Sequence, residues 1–260
     1  LGATVFPDGY ILLFLLAAGF LLVASGGFWV LREPTGPAPD SPGSGKPGMM
    51  TALREVPAIL RSDANMRSLI LTVNLGALGF TAIPLLTALA HQRYSIEPAT
   101  VGWFVILQVA GQLGANFIWS RAIGRGGFRL VLRSELTILA VLLPLSLVVS
   151  TFAPLWAYAG LYLVVGAVVS AHRLGVEATL VQISPDERRA LYAGVFGAAN
   201  LATALMPLVT GSLTSALGFA PVFAGASVFA LIALVPASRL WCGEWYRDET
   251  GAPQGARHEP

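Results

Sequence analysis

Charge is scarce in this sequence. Asp, Glu, Lys and Arg make up 12% of its 260 residues, where a soluble domain carries roughly 25%. That excludes an ordinary water-soluble globule, and 55% hydrophobic residues exclude disorder. Cysteine is nearly absent: Cys242 stands alone, so no internal disulfide framework can form. Lysine occurs once, as Lys46 in a Pro/Gly/Ser stretch, which leaves no place for a retinal Schiff base inside an apolar segment. His91, His172 and His258 are scattered and no HExxH is present, so neither a zinc nor a haem cluster, and no cofactor, is expected. Gly43-Ser44-Gly45-Lys46 echoes a phosphate loop, but Asp40 stands where its first glycine is required and Pro47 where Ser or Thr is required. The net charge of +2 is too small to point to nucleic acid as a partner. A basic n-region is missing from the first nine residues, so no signal peptide is expected. The chain opens on Leu1 and reads as part of a longer frame.

What is present is apolar length. Mean hydropathy is +0.70. A membrane helix needs roughly 20 mostly apolar residues, and seven stretches qualify: Tyr10–Leu31, Ser68–Leu89, Val101–Ser120, Leu130–Thr151, Pro154–Val181, Leu191–Leu217 and Phe219–Leu240. The fold class expected is an all-α polytopic membrane protein with seven transmembrane helices, and the lipid bilayer is its first partner. Very short links join the fourth stretch to the fifth and the sixth to the seventh, so those neighbours pack antiparallel.

The basic residues alternate from loop to loop. Arg32, Lys46, Arg54, Arg61 and Arg67 follow the first stretch, Arg121, Arg125, Arg129 and Arg133 follow the third, and Arg188 and Arg189 follow the fifth. Arg239, Arg247 and Arg257 follow the seventh, while the opposite loops hold only Arg93. The positive-inside rule then puts the C-terminus in the cytoplasm of a cell (inner) membrane. Four regions result: residues 1–31, a first helix; 32–67, a cytoplasmic linker; 68–240, a six-helix bundle; and 241–260, a polar cytoplasmic tail. Glu33–Gly48 of the linker is rich in Pro, Gly and Ser. After it, Leu53, Val56 and Leu60 recur at helical spacing, which predicts a short interfacial helix bent or broken at Pro57.

Polar residues are unevenly shared. The first, fourth and seventh stretches are nearly featureless, whereas the second, third, fifth and sixth carry amides, tyrosines or charges in mid-span. Polar, polar, apolar, repeated, suggests two inverted three-helix repeats. Gln108, Gln112 and Asn116 are four apart and share one helix face. Tyr158, Tyr162, Gly166, Ser170, Arg173 and Glu177 form a second stripe. Asn200, Thr203 and Thr210 cluster in the sixth stretch, and Asn74 and Thr81 stand seven apart in the second. Such groups must face protein or water. Either they line a shared aqueous cavity or they glue the bundle by interhelical hydrogen bonds. The candidate solute-binding residues are Asn74, Gln108, Gln112, Asn116, Tyr158, Tyr162 and Asn200. His172, Arg173 and Glu177 are candidates for gating or for coupling to a proton, with Arg173 and Glu177 spaced to pair. The alternative is an interfacial pair whose long side chains snorkel to water. Glu135, two residues from Arg133, reads as interfacial.

The layout resembles the major facilitator superfamily. Its cytoplasmic loop G-x-x-x-D-R-x-G-R-K is similar to Ser120-Arg121-Ala122-Ile123-Gly124-Arg125-Gly126-Gly127-Phe128-Arg129, with Arg125, Gly127 and Arg129 matching. Ser120 replaces the first glycine and Gly124 the aspartate, which removes the charge relay attributed to that acid. Ser184-Pro185-Asp186-Glu187-Arg188-Arg189 is similar to a P-x-E-R loop of the family. The resemblance implies that the seven stretches are the sixth to twelfth helices of a transporter whose N-terminal half is missing here. It implies secondary active transport of a small solute by alternating access, not enzymatic catalysis. The polar stretches coincide with the family's cavity helices. The rival is a non-transporting scaffold or an intramembrane enzyme, such as a Ser/His protease using Ser227 and His172.

Overall fold

The computed structural model describes residues 8–30, 57–185 and 188–240, and every element among them is helical. The chain divides into two units, Leu1–Pro47 and Gly48–Pro260. In the first, α1 (Asp8–Val30) is a helix of 23 residues without a charge after Asp8, about 34 Å long at 1.5 Å per residue.

The second unit opens with helical residues 57–62 (α2). Pro57 begins the described part of the expected interfacial helix; Leu53 and Val56 lie outside the described residues. Ile59 is buried with Met66, Tyr192 and Val195. Asp63 then caps α3 (Ala64–Thr81). Its Oδ1 accepts from the backbone N–H groups of Asn65 at 2.9 Å and Met66 at 3.0 Å. Two donors at a helix start, otherwise without partners, are thereby satisfied. Its Oδ2 accepts from the Tyr192 hydroxyl at 2.9 Å, which ties the start of α3 to a helix far along the chain.

α3 passes through a joint at Ala82 into α4 (Ile83–Tyr94), with Pro84 in the first turn of α4. The expected stretch Ser68–Leu89 is therefore a kinked pair. The next element, α5 (Pro98–Phe152), runs 55 residues and contains both the third and fourth expected stretches. A straight helix of that length would reach about 80 Å, far beyond a hydrocarbon core of roughly 30 Å. It is not straight. Gly127 has φ 64° and ψ −171°, a conformation open in practice to glycine alone, and it divides α5 into a first arm (98–126) and a second arm (128–152). The Tyr94 hydroxyl, four residues before α5 begins, donates to the carbonyl of Ala153 at 2.9 Å, just past its end. Both ends of α5 thus lie together and the arms fold back on each other. Trp119 and Val131 share one buried cluster; Phe104 and Leu143 share another. The expected cytoplasmic loop 121–129 is mostly helix, because only one residue has to leave helical geometry to reverse the chain.

α6 (Leu155–Ile183) follows, then α7 (Arg189–Ala199), a 3₁₀ segment Leu201–Leu205, α8 (Met206–Leu217) and α9 (Phe219–Arg239). The expected continuous helix Leu191–Leu217 is broken in its middle. Pro207 gives the cause: it brings no N–H to the Thr203 carbonyl and its ring crowds that oxygen, so the preceding turn tightens to 3₁₀. Five helical stretches of the described residues are long and apolar enough to cross a membrane: Ala64–Tyr94, Pro98–Phe152, Leu155–Ile183, Arg189–Leu217 and Phe219–Arg239. The second unit is an all-α polytopic bundle.

Its main core joins α4, both arms of α5, α6 and α9 through Leu86, Phe104, Leu139, Leu143, Tyr158 and Phe223. Lipid is as apolar as leucine, so close contact rather than water exclusion holds such helices together. The closest contact is the crossing of the first arm of α5 with α6. A Cβ on Gly111 would overlap the Leu163 carbonyl, and one on Gly166 would overlap the Gln108 carbonyl. The two backbones touch there, and only glycine permits it. Gly76 and Gly79 of α3 give similar room to Leu136 and Leu139 of the second arm.

Candidate functional site

The glycine crossing positions the polar stripe of the first arm. Gln108 and Gln112 sit on either side of Gly111, both half-buried, and Asn116 is exposed one turn further on. Asn116 Oδ1 accepts from the Ser170 hydroxyl of α6 at 2.5 Å. Among the described residues no side chain or backbone group hydrogen-bonds the amides of Gln108 and Gln112. Each amide therefore keeps its donors and acceptor open.

A second polar group forms where the sixth stretch is broken. Asn200 ends α7, and its Nδ2 donates to the Phe196 carbonyl at 2.8 Å. Its Oδ1 accepts from Asn74 Nδ2 of α3 at 2.9 Å, and the same Nδ2 also donates to Ile70 O at 2.9 Å. Thr203 Oγ1 donates to the Asn200 carbonyl. Asn74 and Asn200, expected to share a cavity, are in direct contact. Of the five long stretches, Arg189–Leu217, which contains the break, is by far the least buried.

The two tyrosines lie elsewhere. Tyr158 is fully buried and its hydroxyl donates to the Leu86 carbonyl at 2.8 Å. Tyr162 is 4% exposed, stacks on Phe104 with ring centroids 4.3 Å apart, and bonds Thr87 Oγ1 at 2.7 Å. Both rings belong to the core, and both hydroxyls are satisfied within it. They shared a stripe with polar residues because a helix face of this length passes from packed core to open surface.

The charged residues are arranged differently from their spacing. Arg173 and Glu177 are both exposed, and no ion pair joins them. They line an open groove of about 580 Å³ together with Phe128, Leu174, Val181 and Arg189. His172 Nδ1 and Glu135 Oε1 form an ion pair instead, 2.7 Å apart. Glu135, on the second arm of α5, is buried in the bundle at 3% exposure. Phe80 of α3 stacks on the imidazole at 4.3 Å between ring centroids. Sequence reasoning named Glu135 only as a neighbour of Arg133; the usable signal for a buried partner was one acid within an otherwise apolar stretch. Of the loop motif, Arg125 is exposed, Arg129 is half-buried, and Gly127 is the reversal of α5.

Among the described residues, no three His, Cys, Asp or Glu side chains gather to hold a metal ion. The family model described as Major Facilitator Superfamily matches residues 68–258 of this chain. No match was found among the curated proteins or among the solved structures.

Proposed function

This chain belongs to the major facilitator superfamily, a superfamily of transporters rather than of enzymes, and we propose that it moves a small solute across the membrane by alternating access. In this reading the polypeptide crosses seven times, by α1, the kinked α3–α4 pair, the two arms of α5, α6, the broken α7–α8 and α9. The last six form two inverted three-helix repeats. The end of the bundle that carries Gly127 faces the cytoplasm, and a second, N-terminal bundle faces this one across the passage.

The observation that carries the proposal is the pair of open amides at Gln108 and Gln112. In hydrocarbon an unsatisfied amide costs several kcal/mol, about 2–7 depending on the reference state. Two on one helix face are tolerable only beside water or a ligand. Asn116, Asn74 and Asn200 extend the polar lining, and the break after Asn200 lets backbone carbonyls face the passage. Tyr158 and Tyr162 support the lining from within the core. His172, Arg173 and Glu177 stand toward the cytoplasmic end, where a latch between the two bundles would act. The test is uptake of a panel of small solutes by proteoliposomes carrying the full-length protein. We expect Gln112→Leu to insert normally and to reduce transport at least tenfold; unchanged transport at equal protein level refutes the role of that amide.

A further inference from the structure

The His172–Glu135 contact has three properties that a merely structural ion pair does not need. First, the two groups are unequally open: the imidazole is 27% exposed and the carboxylate 4%. Glu135 is thus closed off within the bundle while its partner is partly open. Second, the ring is bifunctional. Nδ1 faces Glu135, and Nε2 has no hydrogen-bond partner among the described residues, so one nitrogen serves the acid while the other is free to meet water. Third, Phe80 covers the ring face from α3, which fixes its orientation without competing for either nitrogen.

Of the surrounding charges, Glu177 of α6 acts on the imidazole through space. α3 presents Phe80, which does not titrate, and the second arm of α5 contributes Glu135 itself, with Arg133 exposed. On α6, Arg173 and Glu177 are exposed along the groove. With one shared proton the pair is neutral overall, as imidazolium with carboxylate or as imidazole with carboxylic acid. Loss of that proton to a water molecule gives hydronium and leaves neutral imidazole beside carboxylate, one net negative charge in a site of low polarity. That state is costly unless water enters. Wetting of the passage on one side therefore decides when the proton leaves.

We propose that Glu135 and His172 together bind one exchangeable proton, taken up and released through Nε2 of His172, and that this is the proton coupled to solute movement. The second half rests on the transport reading. Two experiments separate the halves. Infrared difference spectra of the full-length protein in lipid nanodiscs, titrated between about pH 5 and 8, need no solute. We expect one step seen at both a carboxyl and an imidazole. Glu135→Gln should remove the carboxyl signal and move the imidazole step; His172→Asn should remove the imidazole signal. The wild-type titration decides even where a variant fails to insert: no step at either group means a fixed ion pair and overturns the proposal. In proteoliposomes, an imposed proton gradient should drive accumulation of a transported solute by the wild type. Glu135→Gln should still let that solute equilibrate but not accumulate. Accumulation that survives the substitution overturns the coupling, and if no solute in the panel is moved the coupling falls with the transport reading while the titration still decides the proton site.

Discussion

At the scale of single residues, partners decide what a polar side chain can do. Glu135 and Gln112 both stand in helices of membrane length, yet one has its charge answered at 2.7 Å and the other keeps its amide open. Asn74 and Asn200 lie between these cases: each donates to its own helix, and they are joined by one bond of 2.9 Å. Such bonds inside membrane bundles average about 0.6 kcal/mol. A double-mutant cycle of Asn74→Leu and Asn200→Leu, followed by chemical unfolding in detergent, should give a coupling energy of that order. A coupling several times larger would make the pair a structural pin, not part of a lining. The residue types themselves were legible. A stripe of Gln and Asn at four-residue spacing is local, and the sequence shows it directly. The partner of His172 lies 37 residues away and that of Asn74 126 residues away, distances over which spacing says nothing. Arg173 and Glu177 illustrate the converse: correct spacing permits a pair but does not compel one.

At the scale of elements, the apolar stretches were readable because hydropathy over about 20 residues is a property of composition alone. Their internal breaks were not. Gly127 looks in sequence like one of several loop glycines, and it is the positive φ that marks it. Pro207 marks a weak point, but the tightened turn falls before it, at Leu201–Leu205. The crossing of the first arm of α5 with α6 depends on two glycines contributed by different helices. Gly166→Leu should be more disruptive than any single polar substitution, because its Cβ meets backbone and not a side chain that can move. Overpacking in well-fitted cores costs about 1–3 kcal/mol, and a backbone neighbour places this case at the upper end. The check is thermal unfolding in detergent, with Gly114→Leu as the control: a Cβ at Gly114 meets nothing within 4 Å. Equal loss of stability in both variants would refute the seam.

For the whole molecule, the charge of the loops predicts which end of the bundle faces which compartment. Glu97 lies between α4 and α5, and Arg125 lies just before the reversal of α5; both are exposed. In a Cys242→Ser background, Glu97→Cys should react with a membrane-impermeant maleimide in intact cells, and Arg125→Cys only after permeabilisation. The opposite pattern would invert the orientation and place the His172–Glu135 pair nearer the outside. Family membership was legible from the layout and from Arg125, Gly127 and Arg129, and the family model's match over residues 68–258 agrees with it.

The glycine seam has one more consequence, for motion. Helices touching through their main chains cannot slide or roll against each other without steric clash, so the first arm of α5 and α6 must travel as a single stiff body. Under the proposed transport reading, bending would fall to the sixth stretch, whose interrupted helix and low burial set it apart from that stiff pair.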